Sequence, residues 1–415
     1  MFLYRWLCQH YTDLGVVRFQ DHDFVAILTP KGIRQVLSAD PDGYDVFWKD
    51  AFTGLSGNEV VFVLTGEKHR RERQLFASTF NAHNYRSYAE AIHTSTRHHI
   101  SQWQPGQTIR AIDTTSALWL DIIMHLFFGL EKDGFLEEGK RIHAELQKSM
   151  HLLIVFFPAL QRHWFPLWNR YTNAKAAFAD WVGRYLMEHR AQGVERDNVA
   201  GHILALRDED GRRVSNEHIH DAIYSSLGPG HQTTATALAW ALYELGRHPM
   251  VLEKLRTELD SIGADPAPEL LVTLPYLSAT CNETLRLHPI IAECARVPIT
   301  PMEILGYAIP AGAGLVISIV GIHHNPELYP EPERFIPERF IERTYDSFEF
   351  LPFGGGHRRC MGAGLAEYTM RIALAEIASN WEFETSAVDQ DVRKGLTMGP
   401  KNGVLLRIKS RRNLN

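Results

Sequence analysis

Cysteine is scarce in this chain of 415 residues, which has only Cys8, Cys281, Cys294 and Cys360. No two of them form a CxxC pair, and no cluster with zinc-like spacing is present. So few cysteines in a long chain indicate a reducing compartment and exclude a disulfide framework. We expect three of the four to be inert buried thiols, because that is the usual fate of a free cysteine. Cys360 is set apart by its neighbours.

Long apolar runs and an excess of positive charge are also lacking. No stretch approaches the roughly 18 to 20 apolar residues that a membrane span needs. The apolar run at residues 1–7 is too short for a signal peptide. The formal net charge is −6 and the isoelectric point is near 6.4, which argues against a generic nucleic-acid binder. We expect a soluble, cytoplasmic protein without a transmembrane anchor.

Linkers, low-complexity tracts and repeats are missing as well, although the length alone would allow two or three domains. We therefore predict one domain over residues 1–415, and a monomer. Helical spacing of apolar residues predicts helices at 216–245, 250–262, 276–287 and 363–379. Short strands are expected at 16–19, 25–28, 297–310 and 403–408, with a helix starting at Pro30 and irregular coil at 325–346. The fold class is mainly α with a small β-sheet subdomain.

The longest predicted helix has clear start and stop signals. Ser215 suits the N-cap, Gly246 suits the C-terminal stop, and Pro249 follows where a helix cannot continue. Its thirty residues would span about 45 Å, at about 1.5 Å per residue.

The run Phe353-Gly-Gly-Gly-His-Arg-Arg-Cys-Met-Gly362 carries the chemistry. A thiolate that ligates heme iron lies close under a flat ring, so the nearby backbone must approach without Cβ atoms, as glycine permits. Backbone N–H groups and positive charge stabilise a thiolate, and Arg358 is placed to meet a heme propionate. The alternative is a glycine-rich surface loop with an incidental Cys360.

This run resembles the heme-binding signature of the cytochrome P450 family. Three further segments in the matching order strengthen the resemblance, which covers roughly residues 11 to 408: GEKHRRER at 66–73, ETLR at 283–286 and PERF at 337–340. Taken alone, the ETLR match would indicate only a solvent-exposed helix face, because many such faces carry this pattern.

The resemblance implies a P450-like fold with a long helix over heme b (iron protoporphyrin IX), and Cys360 as the iron ligand. It assigns the heme propionates to His69, Arg73, Arg296 and Arg358. Phe353 and Gly362 complete the cofactor-binding loop. Glu283, Arg286 and Arg339 would form a buried triad that holds the coil before the cysteine loop.

The long helix departs from the family pattern Ala-Gly-x-acid-Thr. Here Gly230 and Thr233 match, whereas Pro229 and Gln232 do not. Pro229 cannot donate to the Ser225 carbonyl, so we expect a kink there. Gln232 can hydrogen-bond water but cannot donate a proton as an acid does. Thr233 is predicted to supply the oxygen-side hydroxyl, and the alternative is a threonine bonded back to its own helical turn.

Apolar residues 152–160 and the aromatic residues up to 168 match the region that caps the family's substrate channel, although ordinary core packing is the alternative. The loop 52–64 and residues 290–295 are expected to line the pocket. Glu293 in this segment could hydrogen-bond to a hydroxyl or amine of the substrate, but a solvated or salt-bridged role is favoured.

Electrons must come from outside, because no flavin or nicotinamide domain fits in the chain. We expect a ferredoxin or flavodoxin with its reductase, steered by a patch of basic residues: Lys68, Arg70, Arg71, Arg359 and Arg371. The alternative for these residues is a solvated charge run.

The sequence thus predicts a heme-thiolate monooxygenase that inserts one oxygen atom from O₂ into an apolar substrate of the lipid, terpenoid, steroid or polyketide class. Two alternatives stay open. One is a heme-thiolate enzyme that uses peroxide or rearranges its substrate, and the other is a non-catalytic heme sensor or carrier.

Overall fold

A computed structural model of the chain describes residues 13–19, 22–39, 41–57, 60–77, 82–129, 134–192, 198–207, 211–263 and 265–412. The chain divides into two compact units. The first comprises Met1–Phe47, Ala82–Trp119 and Thr233–Asn415, and the second comprises Trp48–Asn81 and Leu120–Gln232. The expectation of one domain stays a prediction.

Helices dominate both units, as the sequence predicts. Those of the described residues are α1 Pro30–Ser38, α2 Lys49–Ser56, α3 Gly66–Ala77, α4 Ala82–Ser101, α5 Ala111–Phe128, α6 Gly134–Ser149, α7 Leu152–Phe156, α8 Pro166–Gln192, α9 Val199–Ala205, α10 Asn216–Arg247, α11 Pro249–Asp260, α12 Pro268–Leu271, α13 Pro275–Leu287, α14 Ile319–His323, α15 Arg339–Glu342 and α16 Ala363–Asn380.

Strands are short and belong to small sheets. The described ones are β1 Leu14–Phe19, β2 His22–Ile27, β3 Tyr44–Asp45, β4 Thr108–Arg110, β5 Glu293–Pro298, β6 Met302–Ile304, β7 Tyr307–Ile309, β8 Gly314–Ser318, β9 Trp381–Glu384, β10 Asp391–Lys394, β11 Thr397–Pro400 and β12 Leu405–Arg411. The largest sheet has the order β1-β2-β8-β5-β3. Only its β2–β8 pair is parallel.

The central strand of this sheet, β8, escaped the sequence analysis. All five of its residues are buried, so it lacks the alternation of apolar and polar residues that identifies a half-buried strand. Another expectation was wrong, because part of the predicted loop 52–64 is helical in α2. The coil at 325–346 is interrupted by the single helical turn of α15.

The longest helix, α10, begins as predicted. The backbone N–H of His218 donates to Ser215 Oγ at 3.1 Å, which is the expected N-cap bond. The helix ends at Arg247, two residues beyond the predicted end at 245, and it continues through Pro229. Proline therefore does not terminate the helix, although it removes one intrahelical bond.

One described helix, α5, is long and apolar enough to cross a membrane by length and composition. This corrects the expectation that no stretch reaches that length. In the structure, 61% of that helix is buried, as in a core helix of a globular protein.

Candidate functional site

The cysteine loop lies in the first unit, between a 3₁₀ turn at Gly356–Arg358 and α16. A Cβ at Gly355 would lie 2.7 Å from Leu37 Cδ1, and Gly356 has φ +64° with the Leu37 carbonyl against it. Glycine is therefore required where the loop packs on the end of α1. The backbone N–H of Cys360 donates to the Phe353 carbonyl at 3.0 Å, which closes the loop.

The three described cysteines differ in exposure, and Cys8 lies outside the described residues. Cys281 is buried, and burial raises the pKa of its thiol to about 12. Cys294 is half-buried, and burial raises its pKa too. Cys360 is exposed and lies just before the N-terminus of α16, whose N-cap is Gly362. A helix N-terminus favours negative charge, so Cys360 is the described thiol best placed to act as a thiolate ligand.

The structure brings the predicted triad together in the first unit. Arg286 donates to both carboxylate oxygens of Glu283, through Nε at 2.7 Å and Nη2 at 2.8 Å. Arg339 Nε donates to Glu283 Oε1 at 3.0 Å. All three side chains are buried. The bidentate geometry is the strong form of an arginine–carboxylate pair.

The triad also organises the backbone that follows β8. Arg286 donates to the carbonyls of His323, Pro332 and Arg334 at 2.7, 2.9 and 3.2 Å. The N–H of Ile336 donates to Glu283 Oε1 at 2.9 Å. Helix α13 is thereby fixed to the coil that leads to the cysteine loop.

Arg296 is a buried cation on β5, with only 6% of its surface exposed. Its Nη1 donates to the Ala295 carbonyl at 2.8 Å, but its buried Nε has no hydrogen-bond partner. Among the described residues no carboxylate pairs with it, and burial lowers the pKa of its guanidinium. A buried charge without a partner is costly, so this side chain is suited to receive an anionic group.

Tyr44 lies beside Arg296 and was missed by the sequence analysis. Its hydroxyl is buried without a hydrogen-bond partner. Because β3 pairs with β5 in the register Tyr44↔Pro298, Tyr44 and Arg296 are diagonal neighbours on one face of the pair. Burial raises the pKa of Tyr44, and the charge of Arg296 opposes that rise. Only the pairing of two distant segments reveals this neighbour.

These features fit a heme group. An unpaired guanidinium and an unpaired hydroxyl on one strand pair suit the carboxylate of a propionate. The glycine backbone at Gly355 and Gly356 allows close packing, and Cys360 offers an accessible sulfur. Phe353, Arg358 and Gly362 lie in this same loop.

His69 and Arg73 lie in the second unit, one turn apart on α3, and His69 is buried. On the same helix, Glu67 pairs with Arg70 at 2.9 Å and with Arg71 at 3.3 Å. Part of the predicted basic surface is thus already neutralised.

Arg371, the member of that basic surface on α16, is only 20% exposed, with Glu367 at 3.7 Å. It also donates to the Val272 carbonyl at 3.2 Å. It is therefore a weaker candidate for a docking surface than the sequence suggested.

The segment around Gln232 belongs to α10, with Gly230 and Gln232 in the second unit and Thr233 in the first. A Cβ at Gly230 would lie 3.1 Å from Ile123 Cδ1, so the glycine allows a tight contact with α5. Next to it, His231 Nδ1 lies 3.3 Å from His143 Nε2 of α6. Burial, with the neighbouring His231, lowers the pKa of His143 to about 3. This histidine pair was not anticipated.

Two expectations about the pocket walls can be compared with the structure. Glu293 forms an ion pair with Arg393 at 2.7 Å, in line with the favoured salt-bridged role. In the apolar run 152–160, Ile154 and Val155 are buried core residues, whereas Leu152 and Phe157 are exposed.

Comparison with known proteins agrees with the motifs. A family model described as Cytochrome P450 matches residues 1–409. Cytochrome P450 135B1 of Mycobacterium tuberculosis is 30% identical over 400 residues, which cover 94% of this chain and 83% of that protein. Cyclooctat-9-en-7-ol 5-monooxygenase of Streptomyces melanosporofaciens is 32% identical over 389 residues, covering 89% of this chain and 82% of that enzyme.

A solved structure shows the same fold. The crystal structure of the cytochrome P450DA heme domain superimposes with a TM-score of 0.87 over 99% of this chain and 92% of that one, at 21% identity. The predicted fold class, mainly α with a small β-sheet part and P450-like, is confirmed.

Proposed function

Because the chain belongs to the cytochrome P450 family, whose members are heme-thiolate oxidoreductases, we propose that it inserts one oxygen atom from O₂ into an apolar organic substrate. Electrons would come from a ferredoxin or flavodoxin with its reductase. The observation that carries this proposal is the exposed thiol of Cys360 in a loop that only glycine allows, on a chain that also buries the unpaired cation Arg296. The similarity to a named monooxygenase supports the same reaction class.

The cofactor is proposed to be heme b. Cys360 would ligate the iron, with Phe353 and Gly362 in its loop. Arg296, Arg358, His69 and Arg73 would neutralise the propionates, and Tyr44 would add a hydrogen bond to one of them. When bound, the heme supplies an iron centre that activates O₂, and donation from a thiolate favours O–O cleavage.

Proton delivery is assigned to α10. The Thr233 hydroxyl can accept and donate a proton, whereas the amide of Gln232 can only orient water. Gly230 permits the close contact with α5 described above. Since no carboxylic acid occupies position 232, the relay depends on the threonine hydroxyl and on water beside Pro229.

The substrate is proposed to be a lipid, terpenoid, steroid or polyketide. The relative from Streptomyces acts, by its name, on an unsaturated alcohol, which favours a largely hydrocarbon molecule with few polar groups. We further propose a soluble, cytoplasmic monomer that acts as one heme domain.

The experiment that tests the assignment is the spectrum of the reduced protein with carbon monoxide. Thiolate ligation gives a red-shifted Soret band, so Cys360→Ala should abolish it. Cys281→Ala and Cys294→Ala are matched controls and should retain it. An unchanged band in Cys360→Ala would rule out this ligand and with it the proposed chemistry.

The amide of Gln232, where the family pattern has an acid, favours a second candidate function, that of a peroxide-using or substrate-rearranging enzyme. Product formation with NADPH, ferredoxin and its reductase, and none with hydrogen peroxide, would exclude the peroxide-using form. Any turnover would exclude a non-catalytic heme sensor or carrier.

A further inference from the structure

The first unit carries an open cleft of about 380 Å³, and none of the residues that line it is assigned to the heme. Its walls are the last turns of α4, the junction of α16 with β9, the end of β12 and Asp265. Small-molecule sites are commonly clefts of about 300–1,000 Å³ with a few convergent polar groups. The cleft therefore has the size of a ligand site, and its polar groups decide which ligand it suits.

One wall of the cleft presents an arginine without a counter-ion. Arg411 is exposed at the end of β12, and its guanidinium lies 5.4 Å from the centre of the Trp381 ring. No carboxylate pairs with Arg411 in the part of the chain that the structure describes, whereas Arg407 and Lys409 of the same strand both pair with Glu384. Stacking on an aromatic ring orients a guanidinium before a ligand arrives. Arg411 is therefore suited to hold a carboxylate through two parallel N–H bonds.

Another wall of the cleft presents a carboxylate. Arg97 of α4 donates through Nη2 to Asp265 Oδ1 at 2.6 Å and through Nε to Glu376 Oε2 at 2.9 Å. The Glu376 side chain is buried, whereas that of Asp265 is 75% exposed. Asp265 Oδ2 accepts no hydrogen bond from the described residues. Arg97 thus fixes the position of a carboxylate that still has one oxygen available to a ligand.

Two helices end at the cleft, α4 at Ser101 and α16 at Asn380. The carbonyl end of a helix carries a partial negative charge, which favours a cation and disfavours an anion. A simple anion would therefore gain from Arg411 but lose at these helix ends. An ammonium group would gain both from the helix ends and from Asp265 Oδ2. The cleft thus offers a site for each sign of charge.

We propose that this cleft, the zwitterion cleft, binds a small molecule that carries both a carboxylate and an ammonium group, as a free amino acid does. The carboxylate would accept from the Arg411 guanidinium, and the ammonium group would donate to Asp265 Oδ2 beside the helix ends. Ile100, which also lines the cleft, offers an apolar contact to an aliphatic side chain. The proposal concerns binding alone, so failure of the monooxygenase assignment would leave it intact, and the reverse also holds.

The test measures binding of L-leucine to the heme-loaded full chain by saturation-transfer NMR, beside two probes that each lack one charge. L-Leucinamide lacks the carboxylate, and N-acetyl-L-leucine lacks the ammonium group. L-Leucine should bind saturably, and each of the other probes should bind about tenfold more weakly, because a hydrogen bond to a charged group contributes about that factor or more. Added L-leucine should leave the Soret band unshifted, which separates the zwitterion cleft from the heme site.

Two variants each remove one charge of the zwitterion cleft. Arg411→Gln should bind L-leucine about tenfold more weakly than the parent and no better than it binds L-leucinamide. Asp265→Ala should show a similar loss and should bind L-leucine no better than N-acetyl-L-leucine. Arg407→Gln and Asp113→Ala are matched controls, since both residues form exposed ion pairs of the first unit outside the cleft, and they should bind like the parent. The carbon monoxide spectrum and the urea midpoint of each variant verify that it is folded.

Several results would overturn the proposal. The parent could show no saturable binding of L-leucine, or either cleft variant could bind it as tightly as the parent does. Equal affinity for all three probes would show that the cleft does not recognise both charges. A loss of binding in Arg407→Gln or Asp113→Ala as large as in the cleft variants would assign the effect to the general surface charge of the protein.

Discussion

At the scale of single residues, the buried Tyr44 hydroxyl and the buried Nε of Arg296 have no hydrogen-bond partner among the described residues. A buried hydroxyl or guanidinium without a partner lowers stability, so their retention on one strand pair calls for a ligand that satisfies both. The proposed propionate carboxylate would do so, because it could accept a hydrogen bond from each.

The first residue-scale prediction concerns Tyr44→Phe. Removing a buried hydroxyl that has no partner among the described residues should leave the urea midpoint of the heme-free protein unchanged or slightly raised. Heme retention should fall, because one hydrogen bond to a charged group contributes roughly 1.5–3 kcal/mol. The dissociation rate, measured by transfer of heme to apomyoglobin, should rise about tenfold or more. Tyr307→Phe, at an exposed tyrosine, is the control, and equal rates for all three proteins would contradict the assignment.

At the scale of elements, the contact between α13 and the following coil depends on one carboxylate. Glu283 accepts from two arginines and from the Ile336 N–H. The coil has little regular structure of its own, so its backbone carbonyls rely on Arg286 for hydrogen bonds. The coil that leads to the cysteine loop is therefore held in place by a helix that lies before it in the sequence.

We accordingly predict that Glu283→Ala is severely destabilised. It would leave two buried guanidinium groups without their counter-ion, a change that costs about 3–5 kcal/mol. Heme content and the urea midpoint should both fall sharply. Glu331→Ala is the matched control, since Glu331 pairs with Arg334 at an exposed site of the same coil and should behave like the parent. Full heme content in Glu283→Ala would show that the triad does not hold the loop.

At the scale of the whole molecule, stability depends on a buried charge cluster in the first unit. His288 lies between two carboxylates, with Glu244 Oε1 and Asp391 Oδ2 each at 2.7 Å, and its ring stacks on Trp240 at 3.9 Å. Although burial opposes the charged form, the two carboxylates raise the pKa of His288 to about 9. Burial likewise opposes ionisation of Glu244, but hydrogen bonds from His248 and His288 lower its pKa to about 2.

The pH dependence of unfolding follows from these directions. Folding raises the pKa of His288. Its contribution to the free energy of unfolding is therefore complete below its ordinary pKa of 6.5, and it is lost as pH rises through about 9. Folding lowers the pKa of Glu244. Its contribution to the free energy of unfolding is therefore present above pH 4.5, its ordinary pKa, and is lost as pH falls toward 2. Between pH 6.5 and 9 the free energy of unfolding should fall by up to about 3 kcal/mol on account of His288.

Urea unfolding at pH 6.5 and at pH 9 measures this effect. The variant His288→Gln should be less stable than the parent at pH 6.5, and the difference should shrink at pH 9. His98→Gln, at an exposed histidine, should follow the parent at both values. A constant difference between His288→Gln and the parent would exclude a charged His288.

The sequence predicted the helical elements well, because their signals are local. The N-cap at Ser215, the start of α1 at Pro30 and the end of α13 at Leu287 each depend on a few adjacent residues. It failed for β8, whose burial on both faces removes the alternation that identifies a strand. It also failed for the loop at 52–64, where α2 forms.

By itself, the sequence determined the cysteine loop, the three-residue spacing of Glu283 and Arg286 and the amide at Gln232, because each is a matter of residue type at fixed local spacing. Tertiary structure decided which cations outside such local helical pairs stay without a carboxylate partner. Glu67 neutralises Arg70 and Arg71 within its own helix, whereas Arg296 is buried beside Tyr44 with no carboxylate from the described residues. Pairing depends on distances across the fold, and residues distant in sequence become neighbours only when strands such as β3 and β5 align.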